Sequence, residues 1–197
     1  MFNIDFKELD RARKEIYPLY LGNFADLYDS VDFDDLATNL MMVNQNNMNF
    51  RTTPNMQEVH RVHEEDWCPP FLFDVTNYLQ RSLNDRKIEC ICFVGEDAGH
   101  GYPWHIDGFD IFVGNVTGAS TWIFEDKKQL IQPYDLMFVP MGVPHTVVGH
   151  SERVSFAVGN NTHQGREEEY TRIKNAWIKR APHLNGSKII PEYVDNQ

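Results

Sequence analysis

Basic residues are scarce in this chain. Across 197 residues, 18 Lys and Arg stand against 29 Asp and Glu, a formal net charge of −11. Nucleic-acid binding depends on neutralising phosphates with Lys and Arg, so no nucleic-acid partner is expected. Cysteine is scarcer still, with Cys68, Cys90 and Cys92 only. A small, odd number argues against a disulfide framework and leads to the expectation of a reduced, cytoplasmic setting. No apolar run is long enough to span a bilayer, so no membrane association is expected. The opening stretch MFNIDFKELDRARKE mixes charges early and lacks an apolar core, so it does not read as a signal peptide. Internal repeats and low-complexity tracts are absent as well. What the chain does have is material for a core: 42% hydrophobic and 13% aromatic residues, enough for one globular domain at this length.

The chain reads as one domain, 1–197, in three parts. Residues 1–87 are mixed and largely helical. FKELDRARKEIY suits a charged helix, and YPLYLGNF an extended piece punctuated by Pro18 and Gly22. SVDFDDLATNLMM places Phe33, Leu36 and Leu40 at helical spacing behind a cap at Ser30 or Asp32. QNNMNFRTT is polar with a candidate strand. TPNMQEVHRVHEED fits a short helix with Thr53 as cap and Pro54 first, and another helix follows the Pro69–Pro70 break. Residues 88–160 change character. KIECICFVG, DIFVGNV, STWIFE, DLMFVP, HTVVG and RVSFAVG are short apolar runs separated by Gly, Pro, Asn and Asp, the spacing of a sandwich, jelly roll or barrel. Residues 161–197 return to helical period, with Tyr170, Ile173 and Trp177 on one face for packing on the core or in a homodimer.

Within PWHIDGFDIF, His105 and Asp107 are two residues apart, which on a strand puts them on one face. Well downstream, DLMFVPMGVPHTVV runs from a strand through a Pro- and Gly-rich turn into His145. Two imidazoles and one carboxylate with open positions form the donor set of non-haem Fe(II) oxygenases. Full protein ligation would leave no room for reactants, so the open positions matter as much as the ligands.

HIDGFDIF, TGASTW and DLMFVPMGVPH together resemble the double-stranded β-helix core of cupin-type, JmjC-like 2-oxoglutarate oxygenases, and most of all the ribosomal-protein hydroxylases within that group. The family pattern is His-x-Asp, then an aspartate and an aromatic, then a Gly and a Trp on the next strand, then Pro-x-Gly-x-Pro-His. Asp110, Phe112, Gly118 and Trp122 fill it in order. The resemblance implies a mainly β, jelly-roll core with flanking helices at both ends. It also implies Fe(II) held by His105, Asp107 and His145, 2-oxoglutarate as cosubstrate, O2, and hydroxylation of a polypeptide or small-molecule substrate.

One position departs from the pattern. The family usually carries Lys or Arg two residues before that Trp, where it pairs with the distal carboxylate of 2-oxoglutarate. Here Ser120 stands there, and a neutral hydroxyl does not replace a charge-assisted bond. Arg153 and Ser155 form an Arg-x-Ser pattern after His145, resembling the cosubstrate motif of another oxygenase branch. Arg153 is therefore the candidate anchor, with Ser155 and Ser120 supplying hydroxyls. Cys90 and Cys92 share one strand face, where core packing is the default, although the resemblance places a residue like Cys92 beside the cosubstrate. A cupin-like metal protein without 2-oxoglutarate turnover is the alternative that Ser120 motivates. Tyr102 and Trp104 are candidates for the pocket mouth, and His100 for a substrate contact. His150 suits a hairpin turn. His60, His63, Glu64, Glu65 and Asp66 suit a solvated helix face.

Overall fold

The computed structural model describes residues 4–46, 52–53, 56–60, 68–83, 88–99, 101–160 and 166–186. Helix α1 (Phe6–Glu15) starts where the Asp5 carboxylate accepts the N–H groups of Lys7 at 2.9 Å and Glu8 at 3.3 Å, satisfying donors that a helix start leaves open. Helix α2 (Phe33–Asn46) is capped by Asp32, which accepts from the Asp35 N–H at 3.1 Å. Helix α3 (Pro70–Ser82) begins on a proline whose fixed φ suits the first turn. Helix α4 (Glu167–Arg180) has Glu167, Glu168 and Glu169 in its first turn and Lys179 and Arg180 in its last, matching the helix dipole at both ends.

Ten strands complete the described residues: β1 (Leu19–Asn23), β2 (Thr52–Thr53), β3 (Met56–His60), β4 (Ile88–Gly95), β5 (Ile111–Thr117), β6 (Ser120–Phe124), β7 (Lys128–Ile131), β8 (Asp135–Val139), β9 (His145–Gly149) and β10 (Arg153–Asn160). They form a seven-stranded antiparallel sheet in the order β1-β8-β5-β10-β4-β3-β2 and a three-stranded sheet in the order β7-β6-β9. The two sheets face each other across the jelly-roll interior. Strands β5, β6, β8 and β9 are buried at every position, because both of their faces are covered.

The core has three layers. Outside the large sheet, Leu9 and Ala12 of α1, Leu36 and Leu40 of α2, and Phe71, Leu72, Val75 and Leu79 of α3 pack on Cys90, Cys92, Val94, Phe138, Phe156 and Val158. Leu40, Leu72 and Leu79 are fully sealed, and burying a side chain of that size stabilises by about 1.5–3 kcal/mol. Between the sheets lie Val113, Trp122, Phe124, Ile131, Met137, Val139 and Val147. Outside the small sheet, Trp177 and Ala181 cover Trp104, Ile106, Ile123 and Val148. The face carrying Tyr170, Ile173 and Trp177 thus packs on its own core.

Three expectations change. Residues 56–60, expected in a helix begun at Pro54, form β3, paired with β4 from Met56↔Gly95 to His60↔Ile91. An unfilled sheet edge outweighs a local helix-start signal, because strand pairing satisfies every second backbone group at once. Strand β7 was not expected, since its lysine and glutamine hide the apolar pattern of a sheet edge. The segment 103–110 is a loop, and β5 starts only at Ile111.

Candidate metal centre

His105 and Asp107 converge although no strand carries them. Gly99 and residues 101–105 run tightly along β9: the Gly99 N–H donates to the Gly149 carbonyl at 2.8 Å, and the Val147 N–H to the Tyr102 carbonyl at 3.2 Å. Gly101 permits this, because a Cβ there would fall 1.6 Å from the Val147 carbonyl oxygen. His105 and His145 then exchange both backbone hydrogen bonds, each 3.0 Å, as an isolated antiparallel bridge. That pairing, rather than strand alternation, brings the two imidazoles together, their ring centroids 4.3 Å apart. On either side of His105, Trp104 and Ile106 turn outward beneath α4.

One ligand atom each from His105, Asp107 and His145 lies within 4.8 Å of the other two. His105 Nε2 is 3.8 Å from Asp107 Oδ1, and His145 Nε2 is 3.6 Å from Asp107 Oδ2, both too long for hydrogen bonds. The other ring nitrogens are engaged. His105 Nδ1–H donates to the Pro103 carbonyl at 2.8 Å, and His145 Nδ1–H to the Val143 carbonyl at 2.9 Å. These bonds fix the tautomer and aim both Nε2 lone pairs at the shared space, as metal-binding histidines require. Asp107 Oδ2 and His145 Nε2 are sealed, and among the described residues neither has a hydrogen-bond partner. The Asp107 side chain as a whole keeps 22% of its surface, and His105 keeps 28%.

Burial pushes the Asp107 carboxyl pKa up, with the neighbouring His105 opposing. Burial, then His105, pushes the His145 imidazole well below its usual value, against the pull of the Val143 carbonyl. Both directions have one physical cause: charge is costly in a closed space. Trp122 stacks on the His145 ring at 4.9 Å and Phe124 flanks it at 6.2 Å. Tyr102 packs on His105 at 4.7 Å and on Phe93 at 6.2 Å, forming the open side of the site. Orphaned buried acceptors on a His, Asp, His donor set fit a divalent first-row metal.

Along β10, Val154, Phe156 and Val158 face the helices, so Arg153, Ser155 and Ala157 face the interior. The Arg153 side chain is 1% exposed. A Cβ at Gly149 of the small sheet would lie 1.7 Å from its Nη1, and one at Gly95 of the large sheet 2.7 Å. The guanidinium therefore spans the gap between the sheets, in space that two glycines leave. Burial lowers its pKa and the nearby Asp97 carboxylate opposes that. Gly149 is four residues along β9 from His145, about 13 Å at strand rise. Ser120, beside Gly149 in the pairing of β6 with β9, is fully buried. Its Oγ donates to Asn115 Oδ1 at 3.3 Å, while Asn115 Nδ2 donates to the Ile131 carbonyl at 2.9 Å.

Cys92 takes the core position and not the cosubstrate contact that the resemblance implies. It pairs with Phe156, packs under the helices and faces away from the interior. Phe93, paired with Ser155, takes the inward position. Strand parity could have indicated Phe93, and the lone amide in IFVGNVT could have indicated Asn115. His150 sits just after β9, its Nε2 hydrogen-bonded to Thr121 Oγ1 at 2.7 Å. His63, Glu64, Glu65, Asp66 and His100 lie outside the described residues, and His60 is described by its backbone alone.

No protein-family model and no curated protein matches the chain. Solved structures do. The ribosomal oxygenase YcfD from Escherichia coli, in complex with cobalt and 2-oxoglutarate, superposes with a TM-score of 0.60 at 16% identity, over 99% of this chain and 65% of that one. Its complex with cobalt and succinic acid gives 0.60 at 16% identity, over 100% and 61%. The chain has a jelly-roll, cupin-like core with flanking helices, a fold it shares with these structures. A cupin superfamily protein from Desulfitobacterium hafniense also matches, at 17% identity over 39% of this chain and 69% of that one, with a TM-score of 0.36. The chain spans somewhat under two thirds of the length of the E. coli oxygenase. Within this fold, the candidate donors meet at the bridge where β9 begins, and Arg153 lies between the two sheets. No helix among the described residues is long and apolar enough to cross a membrane.

Proposed function

We propose that the protein is an Fe(II)- and 2-oxoglutarate-dependent dioxygenase that hydroxylates a C–H bond, with a polypeptide side chain as the favoured substrate. One observation carries the reading: Asp107 Oδ2 and His145 Nε2 are sealed, without hydrogen-bond partners among the described residues, and converge with His105. A closed pair of polar atoms is costly unless something bridges them, and a metal ion does so. His105, Asp107 and His145 would hold the iron, which with 2-oxoglutarate and O2 supplies the oxidising power for hydroxylation, leaving succinate and CO2.

The rest is positioning by the chain itself. The Pro103 and Val143 carbonyls keep both imidazoles in the ligating tautomer. Trp122 and Phe124 exclude water from the His145 side. Arg153 is the anchor for the distal carboxylate of 2-oxoglutarate, by a two-pronged charge-assisted bond that a guanidinium suits, with the Ser155 and Ser120 hydroxyls alongside. Phe93 and Tyr102 line the side from which substrate approaches. The fold it shares with a ribosomal oxygenase supports a polypeptide over a small molecule as substrate.

A second reading is a metal-binding cupin without 2-oxoglutarate turnover. It is favoured by Ser120, whose hydroxyl is already engaged by Asn115 where the family carries a base. Anaerobic Fe(II) titration with 2-oxoglutarate separates the two. The dioxygenase gives a metal-to-ligand charge-transfer band and, on admitting O2, succinate. Metal binding without either leaves the second reading standing.

A further inference from the structure

Asp110 lies outside the donor set, three residues after Asp107, yet it ties the ligand loop to both the Pro-Gly turn and helix α1. Its Oδ1 accepts the Met141 N–H at 2.8 Å. The next amide of the same turn, Gly142 N–H, donates to the Asp107 carbonyl at 3.1 Å. Two consecutive amides of the Pro-Gly turn are thus held by two points on the ligand loop. Asp107 is itself one of these two points, and His145 lies three residues beyond Gly142. The second oxygen, Oδ2, accepts from Arg13 Nε of α1 at 2.6 Å and faces Arg166 Nη1, at the start of α4, at 3.8 Å. Arg13 is itself fixed by Asp10 at 3.0 Å and lies over the Phe138 ring at 5.7 Å. From the other side, α4 braces the turn, with Ile173 so close that a Cβ on Gly142 would meet its Cγ2 at 2.7 Å.

We infer that Asp110 is a positioning residue: it sets the separation between the loop carrying His105 and Asp107 and the turn that delivers His145. The carboxylate is needed because its two oxygens serve different masters, a backbone amide and an arginine, and only a charged acceptor holds both strongly. Its effect on the metal rests on the proposed metal centre; its effect on the turn does not. If Asp110 merely docked α1, losing it would lower stability and leave the turn and the metal affinity alone.

The test uses the full chain with Asp110→Asn and Asp110→Ala, read in two ways. In metal-free protein, hydrogen–deuterium exchange of a peptide covering 140–146 should accelerate, while one covering β6 stays as in wild type. Co(II) titration followed by visible absorption should then show Kd raised about ten- to a hundredfold, the usual cost of losing an outer-shell partner, with Asp110→Ala worse than Asp110→Asn. Unchanged exchange at 140–146 overturns the inference. So does faster exchange with a Co(II) Kd within twofold of wild type. If wild type itself binds no Co(II), the metal-centre reading fails and the exchange data alone judge Asp110. Should Asp110→Ala not fold, Arg13→Gln, which spares the Met141 bond, should give smaller changes of the same sign. Changes confined to α1 would overturn the inference.

Discussion

Removing the charge of Asp107 should stabilise the metal-free protein and abolish its response to metal. Oδ2 is sealed and without a hydrogen-bond partner among the described residues, and His145 Nε2, equally orphaned, lies 3.6 Å away. Asp107→Asn keeps the shape, removes the buried charge, and offers an amide donor to that nitrogen. Leaving such a group unsatisfied costs about 1–3 kcal/mol. For a chain of this length that corresponds to roughly 2–12 °C in Tm. The pH dependence has a definite sign. Burial raises the folded-state pKa of Asp107 above its unfolded value, near 3.9. A carboxyl shifted this way binds more protons folded than unfolded between those two pKa values. Metal-free wild type therefore recovers stability as pH falls through the folded pKa, and loses it as pH rises. The advantage of Asp107→Asn should be largest at pH 7–8 in EDTA and shrink on acidification. Adding Co(II) to a hundredfold excess over Kd should then stabilise wild type by about 2.7 kcal/mol and the variant hardly at all, inverting their order. Thermal melts of both proteins, with EDTA and with Co(II), check this. A metal-free variant less stable than wild type at pH 7.5, or a variant that still gains from Co(II), would refute the reasoning.

Two further outcomes concern the interior. Arg153→Ala should raise the 2-oxoglutarate concentration needed for half-maximal succinate formation at least tenfold and leave Co(II) affinity in place; an unchanged requirement clears Arg153 of the anchor role. Gly149→Ala should do the same through a different route, because its Cβ would stand 1.7 Å from the Arg153 Nη1 and push the guanidinium aside. If Gly149→Ala keeps wild-type 2-oxoglutarate dependence while Arg153→Ala does not, the guanidinium acts from elsewhere.

Local signals read correctly wherever the chain's own chemistry decided the conformation. Asp32 caps α2, Pro70 starts α3, and the apolar runs from residue 88 become β4, β5, β6, β8, β9 and β10 because each is short, β-prone and bounded by turn residues. The three candidate ligands stood out because an imidazole and a carboxylate are conspicuous in apolar sequence. Elsewhere a distant partner decided. Residues 56–60 follow the edge of β4 rather than the proline before them, and Lys128–Ile131 becomes a strand because β6 needs a neighbour. Cys92 packs in the core, as its apolar strand suggests, and not at the cosubstrate position that the resemblance implies. Side chains alternate along β4, so with Cys90, Cys92 and Val94 on the helix side, Phe93 points inward.

The sequence by itself determined the donor types, six of the core strands and the acidic, cysteine-poor character that bounds the chemistry. Tertiary structure decided how the donors meet. His105 sits on no strand, and it reaches His145 only because the 39 intervening residues fold back to form one two-residue bridge. Which way Arg153 points was likewise set by the pairing of β10 with β4. Spacing along a chain carries no information about closure across a barrel, where contacts between residues far apart in sequence are chosen by the packing of whole sheets.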